Sequence, residues 1–217
     1  MATKKLIIFD MDGVLLDSEP LYMEMNQRYF QQLGIHISRK EHESFVGMSA
    51  TKMWTHIKQK YQLAEDVPYL KEKEKQLKYE MLSNTKLSPS RGIVEFLKFL
   101  KQKEYRLAIA SSSPRRNIDL IIKKIETQTF FDFIISGEEV ERGKPEPDIF
   151  LKTAAAFNLR PGECIVVEDS TNGIKAAKAA GMLCIGYKNP TSGQQDLSLA
   201  NIIIDSFYDA ELLNYFQ

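Results

Sequence analysis

The chain has 217 residues, 43% of them hydrophobic and 27% charged, which suits one buried core or one core plus a small second domain. Its 29 basic and 29 acidic residues cancel, which argues against a broad nucleic-acid or anionic-membrane surface and still allows a local charged pocket. No apolar run approaches the roughly 18 residues of a membrane span. The apolar stretch 6–9 ahead of Asp10 is too short for a secretory signal, so a cytoplasmic protein is expected. Cys164 and Cys184 lie in apolar runs and read as reduced core thiols.

The first element in chain order is a short apolar strand at 6–9. No convincing strand follows until residue 107. Helical patterns occupy 21–33, 39–45, 51–61 and 67–82 instead. Within the last, the run Lys71–Lys78 is charged at nearly every position and reads as a solvated face. Trp54 and Met23, Met25, Met48 and Met53 read as the core of this helical segment. His36, His42 and His56 lack the spacing of a zinc site. Ser88, Pro89 and Ser90 make a linker. Beyond it, helix-period segments at 93–101, 116–125, 148–157 and 173–180 alternate with apolar runs at 107–110, 133–136, 165–167, 183–186 and 202–204. Short apolar strands alternating with helices predict a parallel sheet covered on both faces. The expected fold is α/β, with a core of residues 1–16 and 88–217 and a small inserted helical domain of residues 17–87.

The chemistry-bearing residues follow the strands, where an open α/β sheet binds ligands. The first strand runs into Asp10-Met11-Asp12-Gly13. Two carboxylates so close need a shared proton or a cation, and a hard cation such as Mg²⁺ with oxygen ligands meets that need. Gly13 permits a bend that a side chain would hinder. The second strand ends in Ser111-Ser112-Ser113 ahead of a helix, which suits an oxyanion or a simple helix cap. Gly143-Lys144-Pro145-Glu146-Pro147-Asp148 presents one lysine on a stiffened backbone. A second acid pair, Glu168-Asp169, follows the strand at 165–167. Two acid pairs, a hydroxyl and a lysine, each after a strand, point to one site.

These four motifs resemble the four ordered motifs of the haloacid dehalogenase superfamily, and Asp17-Ser18-Glu19-Pro20 and Asp169-Ser170-Thr171-Asn172-Gly173 are similar to segments of one of its subgroups. The similarity is greatest to its sugar-phosphate phosphatases and β-phosphoglucomutase-like enzymes. It implies a Rossmann-like core with a helical cap inserted after the first motif. It further implies an Mg²⁺-dependent phosphatase that hydrolyses a small phosphate monoester through an aspartyl-phosphate. On this resemblance Asp10 is the nucleophile, and Asp12 protonates the leaving alcohol and then activates water. Mg²⁺ is held by Asp10, the Asp12 carbonyl and Asp169, with Glu168 assisting or orienting. Ser111, with Ser112 beside it, binds the phosphoryl oxygens, and Lys144 offsets their charge. Tyr22, Gly47 and Lys52 become candidate substrate contacts from a cap that closes over the site.

The expected partner is a small phosphorylated metabolite, with no nucleic acid, no membrane and a monomeric chain. A β-phosphoglucomutase-like phosphomutase is the main rival. In the mutase a histidine stands soon after the first motif and an arginine after the cap glycine, where Tyr22 and Ala50 stand here. Those departures favour hydrolysis. A non-enzymatic phospho-acceptor domain is a further alternative, but such modules carry no inserted cap.

Overall fold

Strand β1 (Leu6–Phe9) is followed by helices α1 (Glu19–Gln32), α2 (Arg39–Glu43), α3 (Ala50–Tyr61) and α4 (Val67–Asn84). Then come α5 (Ile93–Gln102), β2 (Arg106–Ser111), α6 (Arg115–Lys124), β3 (Phe133–Ser136), α7 (Asp148–Ala156) and β4 (Cys164–Glu168). The chain ends with α8 (Thr171–Ala179), β5 (Leu183–Tyr187), β6 (Ile202–Ile204) and α9 (Ala210–Tyr215), the last of which the sequence pattern does not announce. This computed structural model describes residues 5–45 and 48–216, apart from the side chains of Glu43 and Glu211. The chain divides into two compact units, one of residues 1–17 and 87–217 and one of residues 18–86. Among the described residues no helix is long and apolar enough to cross a membrane.

The larger unit is built on a parallel sheet of strand order β3-β2-β1-β4-β5-β6. From β1 the chain builds outward to β2 and β3, then returns to lay β4, β5 and β6 on the other side. This reversal beside β1 opens a crevice at the carboxyl ends of the central strands. All four side chains of β1 are buried, because helices cover both faces of the sheet. Leu6 and Ile8, with Ala108, Ala110 and Val166, pack against Ile149 and Phe150 of α7 and Ile174, Ala176 and Ala177 of α8. The alternate residue Phe9 points to the opposite face, edge-on to Phe96 of α5 at 6.2 Å and to Phe131 at 6.1 Å. Burying each such side chain contributes roughly 1.5–3 kcal/mol. Both cysteines are buried in this core and neither forms a disulfide, and burial pushes the Cys184 thiol up to about 12.

The smaller unit is helical. Ser38, Ser49 and Asp66 cap α2, α3 and α4 through their side-chain oxygens. Tyr29, Phe30, Ile37, Phe45, Met53, Trp54, Ile57 and Leu70 form its core. Met25 is also buried, but Met48 is 48% exposed and leaves the core expected of it. The charged run is not uniformly solvated either. Glu74 is buried and its Oε2 accepts the Trp54 Nε1–H at 2.6 Å, because the fully buried indole needs an acceptor.

Candidate active site

Asp10 lies one residue beyond β1, and its N–H still donates to the Val167 carbonyl of β4 at 2.9 Å. The sheet ladder therefore fixes the carboxylate at the carboxyl end of the central strands. Lys144 arrives from the segment between β3 and α7 and is 5% exposed at its side chain, so it is no solvated surface lysine. Its Nζ donates to Asp10 Oδ1 at 2.6 Å, to Glu168 Oε1 at 2.7 Å and to the Ala110 carbonyl at 3.0 Å. All three donor positions are used. Glu168, the last residue of β4, accepts at Oε2 from the Ser170 N–H at 2.8 Å and the Ser170 hydroxyl at 2.9 Å. Gly173 makes room for this carboxylate, since a Cβ there would lie 1.7 Å from Glu168 Oε1.

Asp169 is 5% exposed and sits against the turn after Asp10. A Cβ on Gly13 would lie 2.0 Å from Asp169 Oδ2, and Gly13 has φ +81°, so both space and backbone demand glycine. Asp12 is half-buried, and its Oδ2 accepts the Ser113 hydroxyl at 2.6 Å. Four segments distant in sequence thus meet around one lysine.

The electrostatics follow from this crowding. Burial pushes Asp10 up to about 7; Lys144 opposes the rise, and the Glu168 and Asp12 carboxylates add to it. Burial, then Glu168 and Asp10, hold Asp169 well above the usual carboxylate range. Burial pulls Lys144 down, but Asp10 and Glu168 outweigh it and hold the ammonium above the ordinary lysine value. Three buried acids face one buried cation, so full ionisation of the pocket would leave surplus negative charge.

The donor set fits a hard divalent cation, because it consists of carboxylate and carbonyl oxygens alone. Among the described residues, no three His, Cys, Asp or Glu side chains form a ready ligand cluster. The protein ligands would be Asp10, Asp169 and the Asp12 carbonyl, which suits an ion that keeps several waters. Glu168, expected to assist or orient, accepts from Lys144 at one oxygen and from Ser170 at the other.

The model of the haloacid dehalogenase-like hydrolases matches residues 7–187. The chain belongs to this family. A phosphorylated carbohydrates phosphatase of Thermotoga maritima is 32% identical over 176 residues, covering 81% of each chain. The β-phosphoglucomutase of Bacillus subtilis is 32% identical over 191 residues, covering 84% of this chain and 82% of its own. The crystal structure of a family IA hydrolase from Entamoeba histolytica superposes with a TM-score of 0.83 at 25% identity, covering 98% of each chain.

In this haloacid dehalogenase-like hydrolase the four motif segments converge, and the remaining expected residues fall in different places. Ser111 is buried and its Oγ accepts the Ser113 N–H at 3.1 Å, whereas Ser112 is exposed. Ser113 is the serine that reaches Asp12, and it was not singled out, because three adjacent hydroxyls look alike in sequence. In the helical unit Tyr22 is buried, with the Lys78 ammonium 3.8 Å from its ring centroid. Lys52 is exposed in the first turn of α3. Gly47 lies outside the described residues. Asn189 and Ser192, buried beside the acids, are absent from any motif in the sequence reading.

Proposed function

We propose that this hydrolase is an Mg²⁺-dependent phosphatase that cleaves small phosphate monoesters, sugar phosphates and related metabolites, through a phosphoryl group carried on Asp10. The observation that carries this reading is the bond between Lys144 and Asp10, 134 residues apart and 2.6 Å from nitrogen to oxygen. A buried carboxylate held by a lysine at strand ends, with Asp12 two residues on, supplies both a nucleophile and a proton carrier.

The Asp10 carboxylate attacks phosphorus, and the P–O bond to the alcohol breaks as Asp12 gives its proton to the leaving oxygen. Water then attacks the phosphorus of the acyl phosphate, Asp12 takes the water's proton, and Asp10 is restored with release of phosphate. Ser113 holds the Asp12 carboxylate for both transfers. Lys144 offsets the charge of an anion attacking an anion. Ser111 and Ser112 are assigned to the phosphoryl oxygens. Mg²⁺ bound by Asp10, Asp169 and the Asp12 carbonyl would neutralise charge on the phosphoryl group. We assign leaving-group choice to the helical unit acting as a cap, with Tyr22, Gly47 and Lys52 as its contacts. The phosphatase relative supports a phosphorylated carbohydrate as substrate.

The test is phosphate release from a panel of hexose, pentose, polyol and nucleoside monophosphates and phosphoglycolate, with and without Mg²⁺. Asp10→Asn abolishes turnover on this mechanism, and Asp12→Ala lowers it by about 10²–10⁴. Near-normal turnover by Asp10→Asn would sink the covalent route. Isomerisation of β-glucose 1-phosphate without phosphate release would establish the phosphomutase instead.

A further inference from the structure

Residues 188–195 follow β5 and read in sequence as an ordinary polar turn. The Lys188 N–H donates to the Ile204 carbonyl at 2.7 Å, and the chain then leaves the sheet. Its next polar side chains turn inward: Asn189 is 7% and Ser192 5% exposed. The Asn189 Nδ2 donates to the Gly13 carbonyl at 2.9 Å. The Ser192 hydroxyl donates to Asp169 Oδ2, and the Thr191 hydroxyl to Asp17. Gln195 closes the loop, its Oε1 accepting the Thr171 N–H at 2.9 Å and its Nε2 donating to the Ser192 carbonyl at 3.0 Å. One loop therefore grips the turn that follows Asp10 and Asp12, and also Asp169 and the start of α8.

We propose that residues 188–195 are a strap that positions the two acid-bearing turns for a divalent cation, with Ser192 fixing the Asp169 carboxylate and Asn189 fixing the Gly13 carbonyl. The inference rests on the cation reading above. Asp169 Oδ2 already lies against the Gly13 backbone, and a hydroxyl donor on that oxygen sets the carboxylate plane and leaves Oδ1 for the ion. A hydrogen bond to a charged acceptor is short and directional, so it holds the rotamer firmly. Asparagine suits position 189 because a carbonyl needs a donor, and aspartate there would add another negative charge to a site already in surplus. Outer partners of this kind orient the ligands of a metal site, and losing one typically costs about 10–100-fold in affinity.

A purely structural loop would change stability and leave cation affinity alone, so the two roles separate experimentally. The full chain is titrated with Mg²⁺ alone by calorimetry, and the melting temperature of the metal-free protein is recorded in parallel. Ser192→Ala and Asn189→Ala are expected to raise the Kd for Mg²⁺ by about 10–100-fold. The lost buried hydrogen bonds should also lower the metal-free melting temperature by a few degrees, so the change in Kd is the readout a structural role would not move, and Ser192→Thr, which keeps the hydroxyl, should restore most of the affinity. Tight Mg²⁺ binding by the parent and equally tight binding by both alanine variants overturns the strap and leaves the cation reading standing. A parent chain that binds no Mg²⁺ overturns both.

Discussion

The raised Asp10 carboxyl makes the metal-free protein lose stability as pH rises through neutrality. Its folded value of about 7 stands above the ordinary 3.8, so between those limits the folded state holds a proton that the unfolded chain has released. Stability from this group is therefore greatest in acid and declines until the pH passes about 7. At about 1.4 kcal/mol per pH unit, the decline between pH 5.5 and 7.5 comes to about 2 kcal/mol. Glu163, held down to about 2 first by the Arg160 backbone N–H and then by Lys5, titrates in the opposite sense, well below this window. The assay is urea unfolding in EDTA at both pH values, for the parent and for Asp10→Asn. Asparagine keeps an oxygen for Lys144 but cannot titrate, so the parent's loss should exceed the variant's by about 2 kcal/mol. Comparing the two chains cancels the titrating groups that do not interact with Asp10. Saturating Mg²⁺ should oppose the trend, because its ligands must be deprotonated. Equal slopes for the two chains, or a parent that gains stability from pH 5.5 to 7.5 in EDTA, would refute the account.

Two further substitutions probe the charge and hydrogen-bond arguments. Lys144→Met leaves Asp10 and Glu168 buried without their shared cation and should cost about 3–5 kcal/mol at neutral pH, less in acid as carboxylates take up protons; denaturant unfolding at two pH values checks this. Trp54→Phe keeps an aromatic ring against Tyr29 and Phe30 but removes the donor to Glu74, and should cost about 1–3 kcal/mol. The double variant with Glu74→Leu should recover part of that loss, since the buried carboxylate then goes too.

The sheet was legible in the sequence because its signal is local. The apolar runs at 6–9, 133–136 and 202–204 coincide with β1, β3 and β6. Elsewhere the boundaries moved by one residue, as at Arg106 and Ser111, where a polar side chain ends a strand whose backbone is still paired. An acid or hydroxyl directly after an apolar strand is also a local feature, so Asp10, Ser111, Glu168 and Asp169 could be picked out singly. What they touch could not. Ser113 meets Asp12 across 101 residues, and nothing in Ser-Ser-Ser says which hydroxyl turns inward. Glu74 sits in a run where every residue looks solvated, and only the position of Trp54 across the helix pair makes one of them a buried acceptor. Gly13 was readable as a bend, but the approach of Asp169 to its α-carbon was not. The strap was invisible because asparagine, serine and glycine are what any surface turn contains.

The surplus of acid in the pocket bears on mechanism as well as stability. Asp10, Glu168 and Asp169 are buried beside a single lysine, and two further basic residues would have been needed to balance them within the protein. Relief can come from protons or from a cation, and the two are not equivalent for turnover. On the proposed mechanism a proton on Asp10 would remove the charge needed to attack phosphorus, whereas a cation would leave the carboxylate ionised and lower its proton affinity. Lys144 cannot supply the whole correction, because its three hydrogen bonds are already divided between Asp10, Glu168 and a backbone carbonyl. An arrangement that is more stable with protons when metal-free, and on the proposed mechanism reactive only without them, favours a cation that arrives with or before the substrate. On the proposed mechanism, the same imbalance that weakens the metal-free protein at neutral pH would make Asp10 available as a nucleophile once that cation is bound.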